Sequence, residues 1–140
     1  MLEQVVGKLS DLCARFENIG VTGPPDSWKT TACRCVVPIF IEIDRVLNVG
    51  DPRTVVPWPK QPGVILQAWE ICKATQRAPR VIEGVQLPRA ITEGLRVDAL
   101  LITSLESVKC CHHAMASMNA SVLETCLNQG YLKGVEVHRV

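Results

Sequence analysis

The chain has 140 residues and a formal net charge of +1, with 47% hydrophobic, 21% charged and only 4% aromatic residues. That length suits a single domain, residues 1–140, able to bury about two thirds of its unfolded surface, and the apolar content excludes a disordered chain. Near-neutrality excludes a global pull toward nucleic acid or membrane, so only a local patch could supply one.

Leu2, Val5, Val6, Leu9, Leu12, Cys13, Phe16 and Ile19 fall on one face of a helix over residues 1–19, opposite Glu3, Lys8, Asp11, Arg15 and Glu17. Gly20 is the expected stop. Thr22-Gly-Pro-Pro-Asp26 reads as a loop, with Asp26 or Ser27 as the cap of the next element. Residues 27–49 fit two patterns. Ala32, Cys35, Val36, Ile39, Ile43, Val46 and Leu47 make a helical face, whereas the β-branched run around Val36 to Ile43 suits a buried strand. Two helical pieces are favoured, with Pro38 in the first turn of the second.

The proline- and glycine-rich stretch 48–62 cannot be regular. Pro59-Lys-Gln-Pro62 is a Pro-x-x-Pro, and the expected outcome is a rigid loop with Trp58 packed on the core. Pro62 opens a helix that ends near Arg77, ahead of Pro79. Residues 78–88 form a second loop or a small hairpin about Glu83-Gly84.

From Val97 the apolar residues Leu101, Leu105, Val108, Cys111, Met115, Met118, Val122 and Cys126 recur at steps of three or four. The spacing predicts a long helix of about eight turns, roughly 42 Å, more than a compact domain of this size requires. Ser121 and Glu124 have the spacing of a capping box, so a break is expected near Asn119 and a left-handed close at Gly130. The tail 131–140 is an edge strand or an ordered coil. The fold class expected is therefore all-α, a small bundle of four to five helices with two Pro-rich loops, one long helix in the C-terminal half and at most a minor hairpin.

The seven cysteines, an odd number with no basic, apolar leader before them, point to reduced and mostly buried thiols in a cytosolic or nuclear setting. No apolar run is long enough to span a bilayer. Cys33, Cys35, Cys110 and His113 are the weak candidates for a metal site. On a helix, however, Cys33 and Cys35 diverge by about 200°, and the spacing matches no standard finger. No metal and no other cofactor is expected. Neither Gly-x4-Gly-Lys-Ser/Thr nor Gly-x-Gly-x-x-Gly occurs, no nucleophile elbow is present, and no cysteine has the surroundings of a low-pKa thiol. The chain is accordingly expected not to be an enzyme.

The functional expectation is a non-catalytic assembly module, a structural or accessory protein of the kind viruses encode. It would bind copies of itself or another protein through Leu101, Leu105, Val108, Met115 and Met118 on the long helix. The runner-up is a nucleic-acid-binding protein using Lys73, Arg77, Arg80, Arg89 and Arg96, with weak, salt-sensitive contact. A small enzyme or zinc module comes third.

Overall fold

The structure is a computed structural model that describes residues 1–25, 27–103 and 114–140. It is an α/β fold, and the all-α expectation is wrong. Among the described residues a five-stranded, wholly parallel sheet runs in the order β2-β3-β1-β4-β5. The strands are β1 (Asn18–Thr22), β2 (Ile41–Glu42), β3 (Arg80–Glu83), β4 (Ala99–Ile102) and β5 (Glu136–Arg139). The helices are α1 (Leu2–Arg15), α2 (Lys29–Val36), α3 (Ile43–Val46), α4 (Gln61–Thr75), α5 (Leu87–Thr92) and α6 (Ala114–Asn128). Among the described residues no helix is long and apolar enough to cross a membrane.

The sheet is sandwiched. On one face α1 and α2 pack through Val5, Leu9, Leu12, Ala32 and Cys33 onto Ile19, Val21, Val81, Ala99 and Leu101. On the other, α3 to α6 pack through Leu47, Ile65, Trp69, Ile91 and Cys126 onto Ile82, Leu100 and Ile102. Alternate residues of one strand thus serve opposite cores, as the two-residue period of a strand requires. A strand covered on both sides is apolar at every position. That is why Ala99-Leu100-Leu101-Ile102, all buried, passes for part of a helical stripe. The expected long helix does not begin at Val97: residues 99–102 of that stretch are β4, and its described helical part is α6, while 104–113 lie outside the described residues.

Other elements depart in smaller ways. Helix α1 stops at Arg15, Phe16 is extended, and Gly20 lies inside β1 rather than ending a helix. There an added Cβ would stand 2.9 Å from Leu87 Cδ2 and 3.0 Å from Leu100 Cδ1, so the strand approaches α5 as closely as glycine permits. The helical choice for 27–49 holds for α2, but Pro38 sits outside any helix, and the second piece is a two-residue strand plus one helical turn. Asp26 lies outside the described residues. Helix α4 begins beside Pro62 and ends at Thr75, as its proline brackets imply, and Trp58 opens a 3-10 turn just before it. The second loop holds one strand, β3, not a hairpin. Helix α6 runs through Asn119 without a break, while Gly130 does take φ +83°. The tail is an edge strand, paired in register with β4 from Glu136 to Arg139.

The order of strands fixes where a ligand can enter. From β1 the chain turns through α2 toward β2, on one face; from β3 it passes through α5 to β4, on the other. A single crossover handedness demands this change of face. At β1 and β3, which are neighbours, the connections part in opposite directions. In open parallel sheets a crevice forms at the carboxyl ends of such strands.

A candidate phosphate-binding cleft

The crevice is present as a cleft of about 710 Å³, a size that suits a small-molecule site. Its floor is the turn from β1 into α2. Gly23 holds φ +150°, and a side chain there would collide with Thr103 Oγ1 and come within 2.9 Å of the Thr103 carbonyl oxygen. Only glycine fits. Pro24 and Pro25 stiffen the next step. Ser27 Oγ donates to the Pro24 carbonyl at 2.6 Å and also meets the Thr103 hydroxyl. Lys29 Nζ donates to the same carbonyl at 2.6 Å and to Ser27 Oγ at 3.3 Å, so the ammonium folds over the loop that precedes it.

Helix α2 starts at Lys29, with Trp28 at its N-cap. An indole offers no acceptor to the amides of the first turn, which lie beside the cleft through Lys29, Thr30 and Thr31. The N-terminus of a helix carries unpaired N–H groups and partial positive charge, and so favours an anion. Trp28 itself has φ 69° and ψ 10°, the left-handed region where a bulky residue is an outlier. Holding it there costs of order 1–3 kcal/mol.

The wall beside the floor comes from β3. Thr30 Oγ1 donates to Glu83 Oε1 at 2.8 Å. Thr22 Oγ1 donates to the Gly84 carbonyl at 2.8 Å, and the Gly84 N–H to the Val21 carbonyl at 3.0 Å, closing the two strand ends together. Glu83 is 3% exposed. Burial pushes its carboxyl above the ordinary value; the Thr30 hydrogen bond and the Lys29 charge pull the other way, and Asp44 and Glu42 add to the rise.

The far wall holds two buried side-chain acceptors without donors among the described residues. Gln86 Nε2 donates to Asp44 Oδ1 at 2.7 Å, which fixes the amide's orientation. Gln86 Oε1 and Asn119 Oδ1 are buried and have no hydrogen-bond partner among the described residues. Both residues line the cleft, with 5% and 4% of their surface exposed. A buried acceptor left unpaired costs about 1–3 kcal/mol, and native proteins rarely leave one without a reason.

The residues singled out from sequence lie elsewhere. Leu101 is fully buried in the core under α1 and α2, and Met118 is half exposed on α6. Leu105 and Val108, with the side chain of Met115, lie outside the described residues. Of the basic set, Lys73 pairs with Glu70 at 2.9 Å. Arg80 donates to the Gln76 carbonyl and to Asn18 Oδ1, and Arg96 to the Leu95 carbonyl. Arg80 begins β3 and Arg96 precedes β4, at the amino ends of the strands, opposite the cleft. Arg89 turns inward: it donates to Gln61 Oε1 and the Trp58 carbonyl and stacks 3.5 Å over the Trp58 ring. Burial lowers its pKa. Arg77 is exposed. Cys33 is buried in the core and Cys35 exposed on the same helix, while Cys110 and His113 lie outside the described residues. Among the described residues no group of three His, Cys, Asp or Glu side chains is placed to hold a metal ion by itself.

Sequence reasoning missed the cleft. The strict phosphate-loop pattern fails at one residue: Gly23 is followed after four residues by Trp28 where a second glycine would stand, then by Lys29-Thr30. The available clue was position, since Lys-Thr-Thr opens a helix directly after a strand and a glycine turn. No protein-family model matches the chain, and no curated protein matches it in sequence.

Proposed function

We propose that the chain is a nucleotide-binding α/β domain whose cleft grips the phosphates of a nucleoside di- or triphosphate. One observation carries this: Lys29 and Thr30 open α2 after a glycine turn from β1, and Thr30 is hydrogen-bonded to Glu83 at the end of the adjacent parallel strand. In phosphate loops a lysine at that point reaches the terminal phosphates, backbone amides cradle them, and the following hydroxyl faces a metal ion. The chain departs from the pattern at Trp28, which adopts the left-handed conformation a glycine would take more cheaply.

A hydroxyl and a carboxylate suit Mg²⁺, which prefers one or two protein oxygens together with water and phosphate oxygens. Thr30 and Glu83 would hold it, and it would neutralise phosphate charge. Lys29 would exchange its internal hydrogen bonds to Pro24 and Ser27 for phosphate oxygens, while Gly23 and the paired prolines keep the loop in shape.

Calorimetric titration of the whole chain with ATP and ADP, with and without Mg²⁺, tests the proposal. Saturable binding is expected, weakened at least tenfold by Lys29→Ala, with the Mg²⁺ dependence lost in Thr30→Val. Absence of binding at millimolar nucleotide, or a Lys29→Ala protein with native circular dichroism that binds as well as wild type, would overturn it.

A further inference from the structure

Trp28 stands apart from the other described aromatic residues. Trp69 is fully buried and its indole N–H donates to the Arg96 carbonyl. Trp58 lies under the Arg89 guanidinium, and Phe16 under that of Arg15. Phe40 and Tyr131 pack against the two cores. Trp28 is 43% exposed, lines the cleft, and is held there in a conformation unfavourable to its type. Strain of this kind persists where the surroundings impose it, and it clusters at ligand sites. The unpaired acceptors of Gln86 and Asn119 point the same way by a separate route. An inorganic polyphosphate brings oxygen acceptors and no N–H donor, so it cannot answer them. A ligand with hydroxyl or amino groups can.

We propose that the Trp28 indole is the stacking surface for the base of a nucleotide whose phosphates lie at the start of α2, so that the cleft reads a nucleoside as well as its phosphates. The inference rests on the phosphate-binding proposal above. Base–indole stacking tolerates any base, because each has a π face, and its strength corresponds to about tenfold or more in affinity. Gln86 and Asn119 accept from the donor groups of the nucleoside. Trp28 is thereby a specificity residue, and its place in the loop couples the base to the phosphate grip.

The test compares ATP with inorganic tripolyphosphate, both with Mg²⁺, on the full chain by calorimetry and by tryptophan emission. Wild type should bind ATP about tenfold more tightly than tripolyphosphate, and ATP alone should quench the emission. Trp28→Gly should lose most of the preference for ATP, keeping only what Gln86 and Asn119 supply, whereas Trp28→Phe, which keeps a ring, should retain most of it. Equal binding of both ligands by wild type would overturn the stacking role and leave the phosphate proposal standing. Tighter ATP binding by Trp28→Gly than by wild type would show that the indole obstructs the site, and would also overturn it. Binding of neither ligand would remove the phosphate proposal, and this one with it.

Discussion

Glu83 combines a structural and a chemical burden on one carboxylate. Its pKa is raised above the ordinary 4.5 mainly by burial, so folding favours the protonated form. The stabilisation from this group is complete below about pH 4.5 and is lost as pH rises through its folded pKa. The melting temperature of wild type minus that of Glu83→Gln, which does not titrate, should therefore fall as pH rises above 4.5. A difference that grows over that range would mean that Lys29 dominates and holds the carboxylate ionised. A site that needs the ionised form thus lies where burial opposes it, and a bound divalent cation would reverse the sign. None of this was legible in the sequence. Glu83 comes after a short apolar run like any strand-end acid, and only the parallel pairing of β1 with β3 brings it to Thr30, 53 positions away in the chain.

The elements show which patterns carry information and which mislead. Helices α1 and α4 were legible because each has one buried face, and α4 also has proline punctuation, whereas the stop expected for α1 at Gly20 proved to be strand. The tail strand was half legible from its alternation. The central strands were not, for a physical reason: β1, β3 and β4 are four or five residues long and covered on both sides. They present no period of their own and borrow that of neighbouring residues. In the site, Trp28 hid the glycine pattern because sequence templates encode a conformation through the residue that adopts it most cheaply. The corrected placement of Leu101 changes what a substitution there would do. Leu101→Asp puts a charge in a position with no exposed surface, beneath α1 and α2, so it should abolish the cooperative melting transition at every protein concentration. A folded Leu101→Asp monomer seen by size-exclusion chromatography and circular dichroism would instead place Leu101 at an interface between subunits.

At the scale of the molecule, the sheet is assembled out of chain order. The middle strand β1 starts at Asn18, and its two neighbours begin at Arg80 and Ala99. A chain ending at Thr75 contains the glycine turn between β1 and α2 and most of the described helices, yet it lacks both partners of β1. Such a truncation should show no cooperative melting and should aggregate, because β1 would present two unpaired edges. A soluble, sharply melting fragment 1–75 would contradict the topology. The same arrangement sets a clock on synthesis. As the polypeptide emerges, β1 can meet α1 and α2 early but must wait for more than half the chain before either neighbouring strand exists, and the long loop closures involved make such pairings slow. The ligand cleft, built from the ends of β1 and β3, is then among the last features to acquire its shape, so any nucleotide it takes would meet a chain whose folding is nearly complete.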